Sequence, residues 1–138
     1  MATSISVRAY RSASGRSPVL EWLIELSELQ FDHCQILIES LTLQGHRLGM
    51  PASRALGDGL YELRDEADGV QLRMLYSFQR GAIAVVAAGF VKKGPHDLDR
   101  VRPTAERRRR EADRDPDTYT LEITLEVLED LRKRRKRK

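Results

Sequence analysis

A group of charged residues falls where the side chains of a sheet would meet. Glu62 and Arg64 belong to GLYELR, Asp65 follows them, Arg73 belongs to LRMLYSF, and Lys92 and Lys93 end GFVKK. Each segment is of strand type, and the turn signals Asp68-Gly69 and Arg80-Gly81 join them, so the cations would lie side by side. A sheet holding cations at that density keeps one face open, or covers it with an anion, because buried unpaired charge is very costly. Two readings stay open: a solvated face on which Glu62 and Asp65 neutralise the arginines, or an anion-binding face. His96, just beyond Lys93, is the group near these cations that titrates close to neutral pH.

The elements that must hold these residues read as follows. Three runs, 60–64, 70–78 and 82–91, form an antiparallel meander. In the middle run Val70, Leu72, Met74, Tyr76 and Phe78 share one face, and Gln71, Arg73, Leu75 and Ser77 the other. The third run is apolar on both faces, as a strand covered on both sides should be, and its alanines and Gly89 leave room for close packing. Residues 5–10 read as a first strand. Ser17-Pro18 starts a helix to about Leu29, with Ser as N-cap and Pro at the first position. Asp32 can cap a second helix over about 33–47, with Ile36, Leu37 and Leu41 on its stripe, Ile38 and Leu43 widening it, and Gly49 to end it. This hairpin would cover one face of the sheet, and 50–59 reads as a loop. Pro103 is placed to start a helix over 104–114 that is nearly all charged and would bury little. From 118 to 131 alternation supports a strand, whereas Leu121, Leu125, Leu128 and Leu131 give a helical stripe; helix is preferred because acids precede a basic end. The final RKRRKRK is expected to fray.

With 138 residues the chain is long enough for one domain with a core that needs no staples. The single cysteine, Cys34, permits no internal disulfide and no cysteine-based metal site, and three scattered histidines do not make one. Cys34 lies in an apolar run and reads as a small core residue. No apolar run has transmembrane length and the first residues lack a signal-peptide core, so a cytoplasmic protein is expected. The net charge of +3 is unevenly placed, with basic residues concentrated after about residue 100. That asymmetry suggests a polyanion or an acidic protein as partner.

The order strand, helix hairpin, meander, basic helix, together with SPVLEWL, GLYELR, LRMLYSF and GFVKK, resembles the HigB-like, phage-derived branch of the RelE toxin superfamily. The resemblance spans about residues 3–113. It implies an α+β, RelE-like fold, with a helical hairpin on a mainly antiparallel sheet, a toxin domain over 1–114, and a helical extension with a basic tail over 115–138. It further implies a toxin of a type II toxin–antitoxin pair that cleaves messenger RNA, usually at the ribosome, and a helix-turn-helix antitoxin as partner. The reaction is attack of a ribose 2′-hydroxyl on the adjacent phosphate. It needs a proton acceptor, cations for the phosphate and a donor for the leaving oxygen, and no metal or other cofactor.

By the same resemblance, Arg73 matches the central-strand arginine that stabilises the phosphate, Arg64 a second recurrent arginine, and Lys93 a catalytic cation, with Lys92 beside it. Glu62 stands where RelE has a lysine. It could act as base if burial raises its pKa, or only orient Arg73. His96 is a proton-transfer candidate by neighbourhood. Arg107, Arg108, Arg109 and Arg110 suit nonspecific attraction to RNA phosphates, since four successive residues point nearly all round a helix. The other reading is a noncatalytic RNA- or ribosome-binding module on the same fold.

Overall fold

The sheet is built outward from the β-meander. The computed structural model describes residues 4–136. In chain order the elements are β1 (Ser6–Tyr10), α1 (Pro18–Glu25), α2 (Glu28–Gln44), a 3-10 turn (Gly45–Arg47), β2 (Ser53–Gly57), β3 (Leu60–Ala67), β4 (Val70–Gln79), β5 (Ile83–Lys92), α3 (Asp97–Arg114), α4 (Pro116–Tyr119), β6 (Thr120–Glu122) and α5 (Leu125–Lys136). They form an α+β fold around a six-stranded sheet of order β2-β3-β4-β5-β1-β6. Among the described strands only the β1–β5 pair is parallel, and the sheet is mainly antiparallel, consistent with the RelE-like fold that the sequence motifs imply. No helix among the described residues is long and apolar enough to cross a membrane.

Asp68 and Gly69 both take positive φ, 57° and 72°, which matches the twist of a two-residue hairpin turn and sets the β3–β4 register. Between β4 and β5 the pairing moves from Leu75–Ala88 to Tyr76–Val86, so Ala87 is one extra residue in β5. This bulge puts Ala88, Phe90 and Lys92 on the face of Leu75, Arg73 and Gln71, and Val86 and Ala84 on the face of Tyr76 and Phe78. Both faces are then covered. Leu63, Leu72, Met74, Tyr76 and Val86 pack under α1, α2 and α5, against Leu23, Phe31, Leu37, Leu41, Leu128 and Leu131. Leu60, Leu75, Ala88 and Phe90 pack under Ala105 of α3, with Leu98 and Val101 alongside. Gly89 fills the role its lack of a side chain suggests, because a Cβ there would lie 2.3 Å from the Trp22 ring.

Several boundaries differ from the sequence reading. The first helix stops at Glu25, because Ser27 and Gln30 form a capping box that starts α2 five residues before the expected 33. Ile36 and Leu43, assigned to the buried stripe, are 57% and 66% exposed, and Phe31 and Cys34 take the inner positions. The segment read as a loop contains β2, an edge strand paired to β3. Helix α3 starts at Asp97 and holds Pro103 in its interior. Pro103 is exposed, so water can serve the carbonyl that loses its partner. Far from burying little, α3 covers the second face through Leu98, Val101, Ala105 and Ala112. The ambiguous C-terminal stretch is both things in turn, strand over Thr120–Glu122 and helix from Leu125. The expected fraying does not begin at Arg132: α5 continues to Lys136. Arg132 bonds Asp32 and Gln35 at 2.8 Å each, and Arg135 donates to the Leu26 carbonyl at 3.0 Å. Residues 137–138 lie outside the described residues.

Candidate functional site

Three rows of side chains cross the face beside α3. Strand pairing sets Arg54 opposite Glu62 and Glu62 opposite Leu75; next come Arg64, Arg73 and Phe90; then Glu66, Gln71 and Lys92. At the centre is the Glu62 carboxylate, whose side chain is 1% exposed. Its Oε1 lies 3.2 Å from Arg54 Nη2 and 3.5 Å from Arg64 Nε, and its Oε2 lies 3.8 Å from Arg73 Nε. One buried carboxylate therefore faces three guanidiniums. Arg54 Nε, Arg64 Nε and Arg73 Nε are shut away from solvent without a hydrogen-bond partner among the described residues, as is Glu62 Oε1.

Arg73 is the most buried of these arginines, at 5% exposed. Its guanidinium is held in place by the backbone. Nη1 donates to the Leu72 carbonyl at 2.9 Å and to the Asp65 carbonyl at 3.4 Å, and Nη2 to Gln71 Oε1 at 3.0 Å. Burial pulls its pKa below the ordinary arginine value, Glu62 and Asp65 oppose this, and Arg64 and Arg54 add to it. An arginine stays protonated all the same. Its surroundings thus favour an added negative charge. Arg64 and Arg73 line a surface notch of about 420 Å³, bounded by Gln71, Asp65, Glu66, Pro51 and Ile36. The Asp65 carboxylate pairs with His33 Nδ1 at 2.8 Å and still acts on Arg73 through space.

Lys92 is half-buried on the same face, one row beyond Arg73. Lys93 and His96 are exposed in the turn between β5 and α3, outside the rows. Asp97 ties that turn together: its Oδ2 accepts from the backbone N–H of Lys93 at 2.6 Å and of Gly94 at 2.9 Å. These two bonds hold its carboxyl below the usual carboxylate range. His96 occupies the N-cap of α3 and its side chain makes no capping bond.

The arginine run of α3 divides in two. Arg108 donates to the Ala87 carbonyl at 2.9 Å and lies over the Tyr10 ring, and burial lowers its pKa. Arg109 reaches the Asp58 carbonyl at 2.5 Å. Arg107 pairs with Glu111 at 3.1 Å, as its spacing predicts, and is exposed like Arg110. Glu106 meets Arg102 at 3.2 Å. Tyr76 lies in the core, on the face opposite Arg73, with its hydroxyl against Ser53.

Arg54 escaped the sequence reading because SRALG was taken as loop. The signal was the short apolar-polar run ahead of the Gly57–Gly59 turn, which allows a strand to pair back onto LYELR.

This is an α+β fold whose sheet holds several guanidiniums around one buried carboxylate. The chain matches the family described as Phage derived protein Gp49-like (DUF891) over residues 21–110, a span that includes every residue of the rows above and the arginine run. It belongs to that family, a membership compatible with a toxin of a toxin–antitoxin pair. No curated protein matches it.

Proposed function

We propose that the protein is the toxin of a type II toxin–antitoxin system, of the HigB-like kind, and a metal-independent endoribonuclease that cleaves messenger RNA at the ribosome. The observation that carries this reading is the convergence of three guanidiniums on Glu62, with Arg73 pre-set by backbone carbonyls. Donors fixed before reaction stabilise developing charge without reorganisation. In the reaction the 2′-hydroxyl loses its proton and its oxygen bonds to phosphorus. The bond from phosphorus to the 5′ oxygen breaks, and that oxygen takes up a proton. The products are a 2′,3′-cyclic phosphate and a 5′-hydroxyl end. Arg73 and Arg64 hold the phosphate oxygens, Lys92 and Lys93 extend the cationic track, and His96 at the rim moves a proton. Glu62, sealed from solvent, orients the arginines. Arg107 and Arg110 attract the RNA backbone. Residues 1–114 carry the toxin site, and the 115–138 extension adds β6 and α5 to the same sheet and core. A helix-turn-helix antitoxin neutralises it.

The test is induction in a bacterial host with transcript 5′ ends mapped before and after. Wild type should arrest growth and create new ends, and Arg73→Ala should do neither while remaining folded. New ends that persist at the wild-type rate in folded Arg73→Ala would overturn the site. Growth arrest without new ends would favour a noncatalytic ribosome-binding module.

A further inference from the structure

Arg54 makes the shortest contact to Glu62, 3.2 Å, yet 41% of its side chain remains exposed. Arg64 is 28% exposed. In both, Nε is buried without a hydrogen-bond acceptor. The donors left to meet an incoming group are therefore the Nη nitrogens. Arg54, Arg64 and Arg73 share this one carboxylate, and Asp65 and Glu66 add negative charge beside Arg64 and Arg73, at the notch that Arg54 does not line. A phosphate held at Arg73 therefore leaves the exposed side of Arg54 open to a second anion.

The spacing says where a second would sit. Arg54 stands one same-face step along the sheet and two strands across from Arg73, about 12 Å between Cα atoms. Both side chains reach the same carboxylate, Arg54 Nη2 at 3.2 Å from Glu62 Oε1 and Arg73 Nε at 3.8 Å from Oε2, which brings the two guanidiniums within the reach of neighbouring phosphates of an extended single strand. We propose that Arg54 forms a second phosphate subsite, which holds the phosphodiester adjacent to the scissile one, with Glu62 as the positioning carboxylate shared by both subsites. This rests on the ribonuclease reading. A guanidinium suits the task because it can meet two phosphate oxygens at once. Arg54 then sets the register of the strand and does not touch the reacting atoms.

The experiment uses short synthetic messenger RNAs that contain one mapped cleavage site, presented on ribosomes, with a single uncharged methylphosphonate at each flanking position in turn. Single-turnover rates are compared for wild type, Arg54→Ala and Arg54→Lys, with thermal unfolding as the folding control. For wild type, one flanking methylphosphonate should slow cleavage roughly 10- to 100-fold, the size of a charge-assisted hydrogen bond. Arg54→Ala should show that loss already on unmodified RNA and no further loss on the modified one. Arg54→Lys should recover part of the rate and its sensitivity to the same position. Equal slowing of every substrate by Arg54→Ala, or none, overturns the subsite while wild-type cleavage keeps the ribonuclease reading intact. Absence of cleavage by wild type overturns both.

Discussion

Truncation after Arg114 should unfold the protein rather than trim a basic tail. Residues beyond that point include β6, which pairs with β1 through Arg8–Glu122, Ala9–Leu121 and Tyr10–Thr120. They also supply Ile123, Leu128 and Leu131, which are 7%, 3% and 2% exposed in the main core. At roughly 1.5–3 kcal/mol per buried apolar side chain, these alone contribute roughly 4.5–9 kcal/mol. That is comparable to the roughly 5–15 kcal/mol by which a domain of this kind is stable. Removing them also bares the outer edge of β1 and the apolar surface beneath α5. A finer perturbation is Leu128→Ala. It leaves every cation in place and should cost about 2–5 kcal/mol, lowering Tm on the order of 5–15 °C. Circular dichroism melts and urea titrations measure both variants. A truncated chain that melts cooperatively at the wild-type temperature, or a Leu128→Ala midpoint equal to wild type, would refute the claim that the tail completes the core. The tail would then be free to act through its charge alone.

Other consequences follow from single contacts. Gly89→Ala drives a methyl group into the rigid Trp22 ring, so it should cost about 1–3 kcal/mol, read as a lower urea midpoint with an unchanged m-value. Glu62→Gln keeps the shape but removes the counter-charge of three guanidiniums. It should lower Tm and slow cleavage while the pH–rate profile keeps its shape; loss of one limb would make Glu62 the proton acceptor instead. Burial pushes the Cys34 thiol up to about 12, so thiol reagents should label it only as fast as the protein unfolds. The linkage has a definite sign. Between the unfolded thiol pKa and about 12 the unfolded chain sheds a proton that the folded one keeps, so stability should fall as pH rises through that window, by up to about 1.4 kcal/mol per unit. A flat alkaline stability profile for wild type compared with Cys34→Ala would contradict this.

Much of the sheet was legible because local signals and burial agreed. Asp68-Gly69 specifies a hairpin turn, and the alternation from Val70 to Phe78 survives in β4 intact. What was not legible depends on partners distant in sequence. β2 is five residues between Pro51 and Gly59 and itself ends on Gly57, and it becomes a strand only by pairing with β3. The extra residue Ala87 leaves no mark in an apolar run, yet it sets which face Phe90 and Lys92 occupy. Two misreadings came from signals weighed wrongly. The Ser27–Gln30 capping box was present but was overridden by an apolar stripe that runs on through Leu26. Pro103 was read as a helix start, whereas an exposed proline is tolerated inside α3. For the site, the types and spacing of Glu62, Arg64 and Arg73 were legible, and their convergence on one carboxylate was not. The contribution of Arg54 was hidden with β2. The division of the arginine run, with Arg108 and Arg109 turned to backbone carbonyls, follows from how α3 lies on the sheet.

The central claim is cleavage by 2′-hydroxyl attack, and the chemistry of the new RNA ends tests it most directly. RNA taken after induction is ligated to an adaptor with and without prior 5′ phosphorylation by a kinase. New ends should ligate only after kinase treatment, as 5′-hydroxyl ends must, should be paired with 2′,3′-cyclic phosphates, and should be absent in Arg73→Ala. New ends that ligate directly, and so carry 5′-phosphates, would contradict it, as would growth arrest with no new ends at all.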